Sequence, residues 1–317
     1  MTSIQEKNNH TKKRLDVEKG VFLTAILAIP VLCFIIFYVV VNFNSILMAF
    51  QSYNEETSQF YMNGFVNFEE FFKRLFVSSS EQSSVQLKYA VQNSALILVL
   101  NVCISMPLCM FVSYCVTEKV PLFGFFKVIL FIPSIVSTFA LSMIAKQAIT
   151  YILPALFGVP SNLLVSDSQF ITVTLYDLYI GFAANMVLYI GAMSSVSKEV
   201  LEYSQIDGCG FFRRFIHVVI PGIFPTITTL LIVQVTNFFV SYGSMFSFTG
   251  QFANDSSYTL GYYLFIMIYK ASGSIGTTFT YAEYPLAAAM GVSFTLIAVP
   301  VVFGVRYLLQ RFGPSEN

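Results

Sequence analysis

Charge is scarce in this chain. Asp, Glu, Lys and Arg make up 11% of its 317 residues while 56% are hydrophobic, and soluble domains ordinarily carry about 25% charged residues. The composition, with a mean hydropathy of +0.71, excludes a soluble globular domain and requires an integral membrane protein. The 17 basic and 17 acidic side chains cancel, and no block of like charge points to nucleic acid or another polyanion as partner. The two histidines, His10 and His217, are far apart, and none of the five cysteines forms a C-x-x-C pair. Zinc, redox and hydrolytic chemistry therefore lack the ligands or the nucleophile–base pair they need. Cys33, Cys103, Cys109, Cys115 and Cys209 read as inert packing residues. No G-x-x-x-x-G-K-[ST] loop occurs, so no ATP hydrolysis is expected on this chain. There is no internal repeat of the kind that marks duplicated secondary carriers. The first apolar run is long, starts after about twenty polar residues and has no small-residue cleavage site behind it, which reads as a retained anchor.

What is present is a set of long apolar runs. A helix crossing the hydrocarbon needs about 20 apolar residues, and six segments qualify: 21–41, 89–116, 128–145, 170–196, 223–246 and 284–305. Only the fourth holds a formal charge, Asp177. Twelve Lys and Arg fall in the N-terminal tail, the 117–127 and 197–222 loops and the C-terminal tail, and five in the remaining loops. The positive-inside rule then puts both termini in the cytoplasm. The expected division is a cytoplasmic tail 1–20, a first transmembrane helix 21–41, an extracytoplasmic loop 42–88, a five-helix core 89–308 and a cytoplasmic tail 309–317. Two short apolar stretches do not add spans: 258–269 suits an interfacial or protein-packed helix, and 152–164, broken by Pro154, Gly158 and Pro160, a re-entrant or surface-lying one. Prolines within the spans (Pro30, Pro107, Pro133, Pro225 and Pro300) each remove a backbone donor and loosen a turn.

Between the fourth and fifth spans lies a polar interruption, 202–221. It reads as two short helices joined by a turn at Gly208, which enters the left-handed region without a Cβ clash. Asp207 is placed to bond locally or to cap the second helix. Phe211, Phe212 and Phe215 share one side of that helix, to fill a groove on a partner or pack beneath the bundle, with Arg213 and Arg214 facing elsewhere. Pro221 is expected to stop the helix where the fifth span begins. On composition alone, an amphipathic loop lying on anionic lipid is the stronger reading.

Spacing shifts that balance. Glu202, Gly208, Val218, Ile220 and Pro221 fall without insertion on the cytoplasmic coupling motif of ABC-importer permeases, E-A-A, three residues, G, nine residues, I-x-L-P. The segment resembles that motif, with Tyr203 and Ser204 in place of its alanines and Ile220 in place of its leucine. Weaker matches in the same order make most of the chain resemble the carbohydrate-uptake permeases, the type represented by the larger maltose-system membrane subunit and the glycerol-phosphate and raffinose-type homologues. They are Phe65-Val66-Asn67-Phe68, Gln92-Asn93-Ser94, Phe131-Ile132-Pro133-Ser134, Ser161-Asn162-Leu163-Leu164, and Ser247-Phe248-Thr249-Gly250 followed by Tyr258-Thr259-Leu260. The family's tryptophans are absent, and Tyr179 stands where one is common. The resemblance implies an all-α polytopic protein of the type I ABC importer permease fold in the plasma membrane. It further implies a heterodimer with a second permease, two ATP-binding subunits that hold ATP and Mg, an extracytoplasmic solute-binding protein and a carbohydrate substrate, an oligosaccharide. The residues it assigns to ATPase coupling are Glu202, Tyr203, Ser204, Asp207, Gly208, Phe211, Phe212, Arg213, Arg214 and Pro221.

A second set lies inside the spans. Asp177, Gly181 and Ala184 recur at helical spacing on the fourth, and Gln234, Asn237 and Ser241 on the fifth. Such groups point into the bundle or a wet cavity, and interhelical hydrogen bonding accounts for each amide or hydroxyl taken singly. The resemblance puts Asp177, Tyr179, Gly181, Gln234, Asn237, Phe238 and Ser241 at or beside sugar-lining positions, with Tyr179 and Phe238 supplying rings for a sugar's C–H faces. Ala184 in place of a large aromatic, and the swapped order of amide and aromatic at 237–238, argue against maltose. An ion-coupled carrier of a small polar solute is the alternative, but Asp177 alone offers it little.

Overall fold

The computed structural model describes residues 22, 24, 26–54, 56–76, 81–121, 123–271 and 283–313. The expected tail 1–20 and the last four residues of the C-terminal tail lie outside them. The architecture is all-α apart from one hairpin. α1 (Ile26–Met48) leads into antiparallel β1 (Gln51–Asn54) and β2 (Gln59–Met62), paired Gln51 to Met62. α2 (Val66–Phe76) and the long α3 (Gln82–Thr117) follow. Next come α4 (Phe123–Ile135), α5 (Thr138–Phe157) and α6 (Gln169–Ser194). α7 (Lys198–Ile206), α8 (Phe211–Gly222) and α9 (Phe224–Val240) form the polar interruption and the span after it. The short α10 (Gly243–Thr249), α11 (Leu260–Ala271) and α12 (Glu283–Phe312) complete the chain.

Five of these helices are long and apolar enough to cross a membrane, six if the bent pair α8–α9 is one span. The expected spans are recovered with changed bounds: the first, expected over 21–41, runs on to Met48, and the second, expected over 89–116, begins at Gln82, both inside the expected 42–88 loop. The third, 128–145, straddles a break at Val136–Ser137 between α4 and α5. The re-entrant stretch expected at 152–164 begins as the last turn of α5, which ends where Gly158 takes φ +65°. The fifth span stops at Val240 rather than running to Phe246, because Ser241 leaves the helical region at ψ 114°. The expectation for 258–269 holds, since α11 packs inside protein with Tyr262 and Ile266 buried. The hairpin lies in the expected 42–88 loop, where no strand was foreseen.

Proline effects are local. Three π-helical stretches, 101–105, 148–152 and 215–219, each end two residues before a proline: Pro107, Pro154 and Pro221. A proline ring clashes with the carbonyl four residues back, and a wider turn ahead of it relieves the clash.

The buried residues form two apolar clusters stacked along the bundle. One joins the first turns of α3 (Leu87, Ala90), the start of α6 (Phe170, Val173), Phe239, α10, α11 and α12. The other joins the far halves of α3 (Met106, Cys109, Tyr114) and α6 (Met186, Tyr189) to α8 and the start of α9 (Phe215, Val219, Leu230). Of the cysteines, Cys109 is buried in a cluster, whereas Cys33 and Cys103 are exposed on their helices, so the packing role holds for Cys109 and not for those two. α3, α6 and α9 run from one cluster to the other, and their middle turns belong to neither.

α11 enters the upper cluster through the notch left where α9 ends. A Cβ on Gly261 would stand 2.5–2.7 Å from backbone atoms of Val240 and Ser241. Gly261→Ala is therefore expected to push α11 out of the notch at a cost of about 1–3 kcal/mol, read as a lower thermal midpoint of the purified chain in detergent. An unchanged midpoint would show that the notch has slack.

Candidate functional site

The middle turns of α3 and α6 and the last turns of α9 enclose a cavity of about 210 Å³. Its wall contains Ser94 and Asn101 from α3, Asp177, Gly181 and Ala184 from α6, Gln234, Asn237, Phe238 and Ser241 from the end of α9, and Thr259 ahead of α11. Residues four apart share a helix face, which is why 177 and 181, and 234 and 237–238, open on one space. Ser241 lies past the helix end, yet still lines the cavity. Gly181 and Ala184 leave room where larger side chains would fill it.

Some of these polar groups are already committed. One Asp177 carboxylate oxygen accepts from the Ser244 hydroxyl, Ser94 Oγ accepts from Leu260 N at 3.0 Å, and Thr259 Oγ1 donates to the Ser241 carbonyl at 3.0 Å. The amides of Gln234 and Asn237 are different: among the described residues neither side chain hydrogen-bonds to a neighbouring helix. Helix-to-helix bonding accounts for Asp177 in part and leaves these two amides open to the cavity. Of the expected lining residues only Tyr179 is misplaced. It is 47% exposed on another face of α6 and lines no part of the cavity, because two residues from Asp177 is about 200° around a helix.

The second assembly is at the far end of the same helices. The Ser197 hydroxyl accepts from Val200 N at 3.5 Å to cap α7. Gly208 (φ +72°) ends that helix, with Gly208 N bonded to Gln205 O and Cys209 N to Ser204 O at 3.0 and 2.9 Å. This crossed pair is the Schellman termination, and it requires the left-handed glycine. α8 then starts at Gly210 with no side-chain cap, so Asp207 does not cap it and remains exposed at the turn. Helix α7, the turn and α8 make the expected elbow.

Two expectations for α8 are corrected. Arg214 does not face outward. It is buried at 8% exposure, its guanidinium paired with Glu118 and its Nε donating to Tyr114 Oη at 3.1 Å. Tyr114 Oη in turn donates to the Phe211 carbonyl at 3.2 Å. The rings of Phe211 and Phe215 lie 4.7 and 4.9 Å from that of Tyr114, so the aromatic side packs beneath the bundle and carries Arg214 inward with it. Pro221 does not stop the helix either: it sits in the first turn of the last short segment, and the chain turns by 74° between Gly222 and Phe224.

The outward face of the elbow carries Glu202, Tyr203, Asp207, Phe212 and Arg213, while Ser204 is buried, its hydroxyl bonded to Leu201 O. Ile206, missed in the sequence, is 80% exposed beside Tyr203 at 68% and Phe212 at 65%. Asn101 was also missed, although its distance of seven residues from Ser94 places both on one helix face. No local signal marked Ser244, Glu118 or Tyr114, whose partners are 67 to 100 residues away.

A spanning bundle with a cavity at mid-depth and a rigid elbow at one end is the form of a transport permease. Residues 118–314 match the family described as binding-protein-dependent transport system inner membrane component, and the chain belongs to that family, as a multi-pass component of the plasma membrane. It is 25% identical to the multiple sugar-binding transport system permease protein MsmF of Streptococcus mutans, over 59% of this chain and 64% of that one. It is 26% identical to the diacetylchitobiose uptake system permease protein NgcF of Streptomyces coelicolor, over 94% and 84%. The matched stretch thus spans slightly under two thirds of the first relative's length. A crystal structure of a bacterial ABC transporter that imports the acidic polysaccharide alginate shares the fold, with a TM-score of 0.72 at 17% identity, over 94% of this chain and 98% of that one.

The inward Arg214 gives a test of how the elbow is held. Removing one member of a buried pair strands the other, a cost of about 3 kcal/mol or more. Arg214→Ala is expected to speed amide hydrogen exchange across 211–222, and the exchanged pair Glu118→Arg with Arg214→Glu to restore part of the protection. Unchanged exchange in Arg214→Ala would show that ring packing alone holds α8.

Proposed function

We propose that this chain is one membrane-spanning subunit of an ATP-driven importer that moves a carbohydrate, an oligosaccharide, into the cytoplasm. The observation that carries the reading is the pair of unbonded amides, Gln234 and Asn237, in a cavity between two apolar clusters. Asn237 is exposed and Gln234 half-buried on that wall, so both amides are free to meet a ligand, and a sugar offers hydroxyls to amide and carboxylate and a C–H face to Phe238. The cavity, about 210 Å³, is smaller than the roughly 300 Å³ at which ligand pockets begin. One wall of a shared site fits that size, the other supplied by a second permease. The sugar-uptake names of the relatives support the substrate class.

In this reading both termini and the elbow face the cytoplasm, following the Lys and Arg bias, the 42–88 segment is extracytoplasmic, and 89–308 is the permease core. Two partner ATPase subunits, which hold ATP and Mg, take the elbow through Glu202, Tyr203, Asp207, Phe212 and Arg213, with Gly208 setting its shape. Ile206 joins them as a third exposed apolar side chain. Ser204, Phe211, Arg214 and Pro221 hold the elbow to the bundle. A binding protein delivers the sugar from outside. Motor closure displaces α8, and α8 passes the motion to α3 through the Arg214–Glu118 pair and to α9 across the 74° bend. The cavity is thereby offered to one side of the membrane and then the other.

Two variants separate the roles. Gly208→Val forces a β-branched residue into the left-handed region, at about 1–2 kcal/mol, with open space around the Cβ. It is expected to insert into the membrane normally but to lose ATPase binding in pull-down and ATP-dependent uptake by vesicles; normal uptake would remove the elbow from the mechanism. Asp177→Ala and Gln234→Ala are expected to lower uptake about tenfold, the effect of ~1.4 kcal/mol, with ATPase binding intact. Loss of binding in either would show that cavity and elbow do not have separate roles.

A further inference from the structure

The Phe65–Phe68 segment, matched in the sequence and used by neither the cavity nor the elbow, opens α2. Around that helix Phe71, Leu75, Phe68, Phe72 and Phe76 follow one another on one side, and Glu69, Lys73, Glu70 and Arg74 on the other. The polar side is closed on itself by Glu69–Lys73 at 2.8 Å and Glu70–Arg74 at 2.9 Å. The hydrogen bond from Lys73, and then its charge, hold the Glu69 carboxyl below the ordinary carboxylate range. The apolar side is wider than the protein covers. Phe71 is buried at 1%, edge-on to Phe294 of α12 at 5.7 Å, whereas Phe65, Phe72 and Phe76 remain exposed.

Two observations set where this helix lies. Asn67 Nδ2 donates to the carbonyls of Ala49 and Gln51 at 2.9 and 2.6 Å, the first groups past the end of α1, and Phe65 packs edge-on against Phe50 at 5.4 Å. α2 is thereby fastened to the end of α1. Phe294 stands eleven residues into α12, about 16 Å along its axis, in the same cluster as Leu87 and Ala90 near the start of α3. Of the exposed rings, Phe65 reaches the end of α1 through Phe50, and the apolar window of α1 has no buried residue. A helix with a wide apolar side, a paired ionic side and attachment to the end of a span has the form of one lying in the membrane interface.

We propose that α2 is an interfacial anchor whose occupant is lipid, with Phe65, Phe72 and Phe76 in the acyl boundary and Glu69 and Lys73 toward the head groups and water. Asn67 ties the anchor to α1, so the depth at which α1 and α12 leave the bilayer is set by α2. Its seating in lipid is independent of the transport reading, which supplies only the leaflet, the extracytoplasmic one.

The sequence has no tryptophan, so a single introduced one is the only indole emitter. The full chain carrying Phe76→Trp or Phe65→Trp, in phosphatidylcholine vesicles with brominated acyl chains, is expected to lose emission to bromine and little to aqueous iodide. Bromine near the head group should quench more than bromine near the chain end. Lys73→Trp is expected to show the opposite preference, and Leu296→Trp, on the exposed face of α12, reports that the chain is seated in the bilayer. With Leu296→Trp quenched by bromine, iodide quenching at 65 and 76 would overturn the proposal in favour of a soluble partner. Quenching there by neither agent would overturn it in favour of a covering protein chain.

Discussion

A polar group inside hydrocarbon has no water to bond, and the rest of this structure follows from how each one is met. Backbone groups are met by helices, and where the chain leaves a helix a side chain takes over, as Asn67 does at the end of α1 and Asn93 does for the carbonyls of Ser256 and Tyr258. Arg214 is met by Glu118 and Tyr114. The Gln234 and Asn237 amides are left open, and they are left open on the cavity. Two further polar atoms, Tyr189 Oη and Ser257 Oγ, are buried without a partner away from the cavity, so an open amide marks the site only where it also faces the cavity space.

The two apolar clusters hold the same three helices on either side of the cavity. The upper cluster packs the ends of α3, α6 and α9 remote from the elbow, and the lower one packs their other ends against α8. The cavity lies between these two packed layers. The roof segment adds to this. Asp255 accepts from the side-chain amides of Gln82 and Gln86, Asn254 is bonded to Gln169 Oε1 at 2.8 Å, and Thr259 to Ser241. These bonds join the ends of three helices remote from the elbow.

Much of this was legible in the linear chain, for physical reasons that can be named. Apolar runs of about 20 residues find most of the crossings because length alone decides whether a helix spans. The turn at Gly208 was readable because few residues but glycine accept its φ. Helical spacing grouped 177, 181 and 184 on one face and 234, 237 and 241 on another, and all six line the cavity, yet the same rule should have turned Tyr179 away and drawn Asn101 in. The breaks at Val136–Ser137 and at Ser241 were not readable. Neither holds a glycine or proline at the break itself, and the α9 end is instead occupied by Gly261 and Thr259 from a later segment.

The sequence by itself determined that the chain lives in a membrane, where its elbow turns and which helix faces are polar, because hydropathy, backbone permissiveness and periodicity act within a few residues. Tertiary structure decided which way Arg214 points, where the fifth span ends and which amides stay unbonded. The first two depend on partners about twenty to a hundred residues away and the third on which distant helices leave space, and none of these leaves a trace in the local pattern.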